Sequence, residues 1–277
     1  MKIKVKDINI YDTLFSGQCF RMIKEEDNSY TVVIKDRVIN IKEENGYLVV
    51  NSSNEEDLEK VVKNYFDLDF DYESVNSVIA SKEDTLRKNI NLCKGYKILR
   101  QDAFEMFITY IISQNNNVKR ISKTVEELSK SYGTKVTFND KDYYLFPTYG
   151  QLKDISKEEL RSYGVGFRDE YIRFALDYLR DNPKFLVDIN NMSTDEALKA
   201  LTSIKGIGTK VASCILLFGY HRLDTYPIDT WVRKYVSTNF NVKDDIKVIS
   251  KFMKETFGEY SGLAIQYFFH IERNKSN

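Results

Sequence analysis

The sequence predicts an α+β protein in which an N-terminal antiparallel β-sheet is followed by an all-helical body. Three observations lead to this prediction. β-Branched and aromatic runs fill the first fifty residues, whereas apolar residues recur with helical spacing from about residue 51 onward. Only three prolines occur in 277 residues, so helices can run with few interruptions. The change of pattern predicts a sheet domain with flanking helices over residues 1–95 and a helical body of two subdomains over residues 96–277.

The predicted sheet is built from short strands separated by polar breaks. The first segment alternates charged and apolar side chains, and the later segments are β-branched or aromatic runs. Asn45-Gly46 separates the last two of these segments and is a strong hairpin-turn signal, which favours antiparallel pairing. The strands are predicted at residues 2–6, 30–34, 38–41 and 47–50.

The helical part begins after the last strand. Ser52 and Ser53 precede acidic residues, so the pattern predicts a capped helix with a favourably charged first turn. The apolar face of this helix is formed by residues 58, 61, 62 and 65. Helical spacing then continues to the end of the chain, and residues 136–150 are predicted to be its main irregular connection.

Composition excludes several classes of protein. Lysine and arginine (41) balance aspartate and glutamate (41), and 42% of the residues are hydrophobic, which is typical of a folded globular chain. No apolar run approaches the roughly 18 residues of a membrane span, and the N-terminus lacks the apolar core of a signal peptide. The chain is therefore expected inside the cell, which would be the cytoplasm or nucleoid if the source is a bacterium or archaeon. A net charge of zero predicts only modest non-specific affinity for nucleic acid.

The cysteines and histidines exclude the common metal and disulfide frameworks. Cys19, Cys93 and Cys214 are far apart and odd in number, so no disulfide framework or four-cysteine cluster is predicted. His221 and His270 form no ligand pair of the kind found in zinc enzymes.

The most informative segment is a tight connection between two predicted helices. An amphipathic helix over residues 195–204 ends at Lys205-Gly206-Ile207-Gly208, and Thr209 begins a second helix that continues to about residue 218. The glycines allow close approach to the backbone, and the free amides at the start of the second helix suit a phosphate. Such a hairpin is equally compatible with an ordinary turn between helices.

Lys210 and Asp229 are the candidate reactive residues of this segment. Lys210 lies in the first turn of the second helix, where the positive helix end disfavours the ammonium form and favours a nucleophilic amine. That helix is about 18 Å long, and residues 221–228 can span about 26 Å, so the chain can return Asp229 to Lys210. Asp229 also suits the N-cap of a helix over residues 230–238. The alternative is that Lys210 touches a phosphate and Asp229 only caps a helix.

The stretch GIGTKVASCILLFGYHRLDTYPIDTWV resembles the helix-hairpin-helix, Gly-Pro-Asp motif of the DNA base-excision glycosylases. Within that superfamily the chain is similar to the 8-oxoguanine DNA glycosylases. Four further segments resemble motifs of that family in the same order, so that the resemblance covers nearly the whole chain. These segments are SGQCFR at 16–21, SQNNNVKR at 113–120, GVGFR at 164–168 and GLAIQYFF at 262–269.

The resemblance implies a bifunctional enzyme that flips 8-oxoguanine out of duplex DNA opposite cytosine, excises it and cleaves the abasic strand. Lys210 would attack C1′ and form a Schiff base, which permits β-elimination. Asp229 would stabilise the positive charge at C1′ and orient Lys210. The family also implies an active site in the cleft between the helical subdomains, double-stranded DNA as partner, and a monomer.

The base pocket follows from the same resemblance. The carbonyl of Gly17 would accept the N7–H that only the oxidised base carries. Phe269 would stack on the base, and Cys214 would form the opposite wall. Ile265 stands where the family has a glutamine that contacts the pairing edge of the base, and Gln266 is adjacent but about 100° around the helix. For Cys214 and Phe269, simple core packing is the alternative.

A second group corresponds to residues that contact the opposite base and the duplex. Asn115, Arg120 and Arg168 would read the unpaired cytosine, and Phe167 would act as a wedge in the vacated stack. The alternative is a solvated polar loop with an ordinary core contact at Phe167.

The hairpin departs from the family pattern at one position and implies a bound ion. Gly206 and Gly208 match the family, but Lys205 stands where proline is usual and could add a phosphate contact. Trp231 stands where some relatives have a phosphate-binding histidine. No cofactor is expected beyond a monovalent cation on hairpin carbonyls when DNA is bound. Two alternatives remain open, namely a monofunctional alkylpurine glycosylase of the same superfamily and a non-catalytic helix-hairpin-helix DNA-binding protein.

Overall fold

The computed structural model describes residues 1–275, with side chains through residue 272. Its N-terminal part is a five-stranded antiparallel sheet with the strand order β1-β5-β4-β3-β2. Asn45 and Gly46 both have positive φ in the turn between β4 and β5, which confirms the predicted hairpin. The strands are β1 Lys2–Lys4, β2 Met22–Lys24, β3 Tyr30–Ile34, β4 Arg37–Glu44 and β5 Tyr47–Ser52.

Helices dominate the rest of the chain. They are α1 Ile10–Leu14, α2 Leu58–Tyr65, α3 Tyr72–Lys82, α4 Asp84–Asn89, α5 Ala103–Ile112, α6 Val118–Tyr132, α7 Tyr149–Leu152, α8 Lys157–Ser162, α9 Arg168–Asp181, α10 Phe185–Asp188, α11 Thr194–Thr202, α12 Thr209–Gly219, α13 Thr230–Phe240, α14 Ile246–Phe257 and α15 Ser261–Lys275. Within residues 1–275, none of these helices is long and apolar enough to cross a membrane.

Two large hydrophobic cores and one small cluster are formed by the described residues. The smaller core lies between the sheet, α1 and α2, and includes Leu14 and Phe66. The larger core joins the helices after residue 95, but it also takes in Tyr72, Ile79 and Leu86 from α3 and α4. Residues 1–95 therefore contribute to both cores, and the division of the chain at residue 95 stays a prediction.

The prediction of an irregular connection over residues 136–150 is wrong for much of its length. Strands β6 Lys135–Phe138 and β7 Lys141–Tyr144 form a second antiparallel hairpin within the helical body. Its turn is Asn139-Asp140, where both residues have positive φ. Phe138 and Tyr143 pack on Val38 of the main sheet. The body is therefore not all-helical, and this hairpin braces it against the N-terminal sheet.

The predicted cap of the first long helix is also wrong. Ser52 ends β5, and α2 begins only after Asp57, which adopts a left-handed conformation and makes no side-chain capping bond. The apolar spacing located the helix correctly, because Leu58 and Val62 face the core. The serines lie too far from the first turn to cap it.

Candidate active site

The site is organised around the connection between α11 and α12. Gly206 has a φ of +90°, and a Cβ there would lie 2.3 Å from the ring of Tyr171 in α9. Gly208, two residues later, has open space where a Cβ would be. Lys205 lies between the helices with its Nζ 4.1 Å from the ring centroid of Phe174. The two helices predicted on either side of the glycines are thus present as α11 and α12, and Tyr171 of α9 packs against the connection between them.

The two hairpin glycines give a matched pair of variants. Gly206→Ala is expected to lower the free energy of unfolding by about 1–3 kcal/mol, since it combines a strained φ with a clash against an aromatic ring. Gly208→Ala is expected to change it by less than about 0.5 kcal/mol. Thermal unfolding measures both effects. Equal destabilisation of the two variants would contradict the tight packing of Tyr171 against the hairpin.

Lys210 and Asp229 come together at the buried thiol of Cys214. Both residues are half-buried, and Lys210 is one helical turn before Cys214 on α12. Burial raises the pKa of Cys214, the nearby Lys210 ammonium partly opposes this rise, and the Asp229 carboxylate adds to it. A charged amine and a carboxylate from separate elements thus act on the same atom. Direct contact between Lys210 and Asp229, which the chain length allows, stays a prediction.

Asp229 has a second role that its position in the sequence predicted. It is the N-cap of α13, and its Oδ1 accepts a hydrogen bond from the Val232 amide at 2.8 Å. The bond anchors one carboxylate oxygen at the start of the helix, where negative charge is favoured. The carboxylate is therefore held in a defined orientation beside Cys214.

Tyr110 is a site residue that the sequence analysis missed. Its ring centroid lies 5.9 Å from Lys210 Nζ and stacks on Phe218 at 5.5 Å. Phe20, in the segment after Gly17, meets the same ring edge-on at 6.1 Å. Tyr110 thus connects the lysine to the Gly17 segment. In a helix as apolar as α5, an aromatic residue looks like an ordinary residue of the hydrophobic core. The local sequence pattern therefore did not indicate that Tyr110 belongs to the site.

The Gly17 turn is fixed in place by the hydrogen bonds of its neighbour Gln18. Gly17 has a φ of +87°, and nothing lies within 4 Å of where its Cβ would be. Gln18 is fully buried and donates to the carbonyls of Thr13 (2.8 Å) and Lys97 (2.9 Å). Its Oε1 accepts from the Leu99 amide at 2.8 Å. These bonds fix the turn against the segment that enters α5, so Gly17 can present its backbone without a side chain.

The C-terminal helix α15 supplies the aromatic and amide groups near this turn. Gln266 is buried, and its Oε1 accepts from the Tyr96 hydroxyl at 3.3 Å. Tyr96 also interacts with the Ser16 side chain beside Gly17. Phe269 is half-buried and meets Trp231 edge-on at 5.1 Å. Gln266 is thus connected to the Gly17 segment.

The residues predicted to contact the opposite base lie at the ends of α5, α6 and α9. Asn115 is exposed and left-handed at φ +47°, and Arg120 is exposed in the first turn of α6. Phe167 is 55% exposed at the start of α9, as a wedge requires. Arg168, in contrast, is 4% exposed, and burial together with the Arg120 charge lowers the pKa of its guanidinium.

The buried guanidinium of Arg168 donates hydrogen bonds to backbone carbonyls. Its Nε donates to Gln114 at 2.6 Å, its Nη2 to Asn115 at 2.9 Å and its Nη1 to Val165 at 2.9 Å. These bonds hold the loop between α5 and α6 against the start of α9. Arg168 thereby positions Asn115, a contact that residue type alone did not indicate.

Side chains do not provide a metal site. Among the residues whose side chains are described, no group of three or more histidine, cysteine, aspartate or glutamate residues could hold a metal ion. A cation on the hairpin would have to be bound by backbone carbonyls, as the resemblance implies.

Comparisons with known proteins agree with this geometry. The family model described as the N-terminal domain of 8-oxoguanine DNA glycosylase matches residues 1–107. The N-glycosylase/DNA lyase of Arabidopsis thaliana is 27% identical, and the match covers 98% of this chain and 79% of the plant protein.

Two solved structures are similar over the full length of the chain. MBOgg1, solved with a low affinity DNA ligand, is 35% identical with a TM-score of 0.94, covering 100% of this chain and 96% of that protein. The 8-oxoguanine glycosylase/lyase of Clostridium acetobutylicum, solved with double-stranded DNA containing cytosine opposite 8-oxoguanine, is 31% identical with a TM-score of 0.92. That match covers 100% of this chain and 99% of the clostridial one.

Proposed function

This chain belongs to the family of 8-oxoguanine DNA glycosylases, and from that premise we propose that Lys210 and Asp229 carry out its chemistry. The protein is a bifunctional base-excision repair enzyme, a DNA N-glycosylase and an abasic-site lyase that acts on 8-oxoguanine. The alkylpurine and non-catalytic alternatives are therefore set aside. The observation that carries the residue assignment is the meeting of Lys210 and Asp229 at Cys214.

Lys210 acts as the nucleophile. Its unprotonated amine attacks C1′ of the extruded nucleotide, the C1′–N9 bond breaks, and its electron pair leaves with the base, which then takes up a proton. Loss of a proton from Nζ and opening of the sugar ring give the Schiff base. Removal of a C2′ proton then expels the 3′ phosphate by β-elimination.

Asp229 stabilises the positive charge that develops at C1′. One of its oxygens is bonded to the Val232 amide, so the carboxylate does not have to reorganise during the reaction. We assign it charge stabilisation and orientation of Lys210.

The base pocket is proposed to lie between the Gly17 turn, Cys214 and α15. The open backbone at Gly17 suits a carbonyl that accepts the N7–H of the oxidised base. Phe269 stacks on the base, and Cys214 forms the facing wall. With isoleucine at 265, we assign the base contact to Gln266, whose side chain accepts from Tyr96, a residue that also interacts with Ser16 beside Gly17.

Duplex binding is proposed to use the loop and hairpin surfaces around the pocket. Asn115 and Arg120 read the unpaired cytosine, and Phe167 enters the vacated stack. Arg168, predicted to read the same base, is buried on backbone carbonyls and instead positions the Asn115 loop. The hairpin Lys205–Gly208 binds a phosphate, with a monovalent cation on its carbonyls when DNA is present and no other cofactor. One chain acts alone, in the cytoplasm or nucleoid of a bacterium or archaeon.

Excision from four duplexes tests this assignment. Each contains 8-oxoguanine opposite one of the four bases, and borohydride is added to reduce any Schiff base to a stable covalent complex. We expect release of the base with trapping, and at least about tenfold faster excision opposite cytosine. Excision without trapping would refute the lysine assignment. Equal rates with all four bases would refute cytosine reading by Asn115 and Arg120.

A further inference from the structure

Three surfaces to which the proposed function assigns different parts of the DNA are joined by a closed ring of contacts. The hairpin is in contact with α9 through Gly206, whose Cα faces the ring of Tyr171. Tyr171 meets Phe167 edge-on at 6.0 Å. The Arg168 guanidinium lies 4.5 Å from the Phe167 ring centroid and donates to the carbonyl of Gln114. The phosphate hairpin, the wedge and the opposite-base loop are thus in sequential contact.

Gln114 closes this ring. Its Nε2 donates to the carbonyl of Gly206 at 3.0 Å, across 92 residues of sequence. Its own carbonyl accepts from Arg168, so the same residue is bonded to both the hairpin and the start of α9. Nε2 also lies 3.3 Å from the Ile111 carbonyl in the last turn of α5, which limits the movement of the side chain.

We propose that Gln114 is a positioning residue that couples the opposite-base loop to the phosphate hairpin and thereby determines the preference for cytosine. The Gly206 carbonyl already fixes the Gln114 side chain in DNA-free protein, so a phosphate that binds the hairpin acts on a residue bonded to the loop. The Gln114 backbone then fixes Arg168 and the adjacent Asn115, which is strained at φ +47°. The inference rests on the proposed function, because it presumes that this loop reads the opposite base.

Gln114→Met tests the coupling, since methionine keeps the length of the side chain and the backbone carbonyl but cannot donate to Gly206. In DNA-free protein we expect hydrogen exchange of the 203–208 amides to become about fivefold faster, the factor that a single buried hydrogen bond supplies. The ratio of kcat/KM opposite cytosine to kcat/KM opposite adenine should fall by a similar factor. Borohydride trapping at saturating protein should persist, because Lys210 is not altered.

Asn116→Leu is the matched control. Its amide belongs to the same loop, but Nδ2 donates only to Ile112 (3.1 Å) and Oδ1 accepts from Asn117 (3.0 Å), so neither bond reaches the hairpin. We expect it to leave exchange of the hairpin unchanged. Unchanged exchange or an unchanged cytosine ratio in Gln114→Met would overturn the coupling. A wild type without any cytosine preference would instead refute the proposed role of the loop, and this inference with it.

Discussion

Replacing Lys210 by glutamine is expected to abolish the borohydride-trapped complex with 8-oxoguanine DNA. Glutamine is close to lysine in size but its amide nitrogen is not nucleophilic, so no bond to C1′ can form. Excision should fall by at least about 10³-fold, as is usual when an enzyme loses its nucleophile. Duplex binding should persist, because Gly206 and Gly208 and the free amides of α12 remain. Trapping is read as a shifted band on a denaturing gel, and binding as fluorescence anisotropy.

Lys205, the other lysine of this segment, provides the control variant for Lys210→Gln. Lys205 is exposed over Phe174, so Lys205→Gln should weaken duplex binding by a few-fold and reduce its salt dependence by about one ion. At saturating protein it should still be trapped. If Lys210→Gln were trapped and Lys205→Gln were not, the nucleophile would have to be reassigned.

The second large effect is expected for Asp229→Asn. Asparagine caps helices about as well as aspartate, so the Val232 amide keeps its partner and the melting temperature should change little. The carboxylate charge is lost, and excision is expected to fall by about 10²–10³-fold, the usual cost of removing one preorganised electrostatic group. Single-turnover excision, measured together with thermal unfolding, separates catalysis from stability.

Asp245→Asn provides a control for the cap itself. Asp245 caps α14 through bonds from the Lys247 and Val248 amides at 2.9 and 3.1 Å, outside the proposed site. Its substitution should alter neither stability nor excision appreciably. Full activity in Asp229→Asn would rule out the charge role and leave only the structural one.

Local sequence signals predicted most of the fold, because strands and amphipathic helices repeat their apolar residues over short distances. The hairpin at β6 and β7 was missed, since two four-residue strands rich in lysine and tyrosine resemble a loop. Its Asn139-Asp140 turn was a usable signal. The predicted cap at Ser52 was wrong although serine is a suitable capping residue. Ser52 is instead the last residue of β5.

The features of the site also fall into those that the sequence predicted and those that only the structure revealed. The sequence by itself predicted the hairpin glycines and the cap at Asp229, because each depends on bonds within a few residues, whereas the role of Lys210 as nucleophile came from the family resemblance and stays a proposal. Only the tertiary structure decided that Tyr110 lies beside Lys210, that Arg168 holds the loop, and that Gln114 reaches Gly206. Such contacts depend on how separate helices pack. Two residues that are 92 positions apart in sequence produce no local periodicity from which their contact could be predicted.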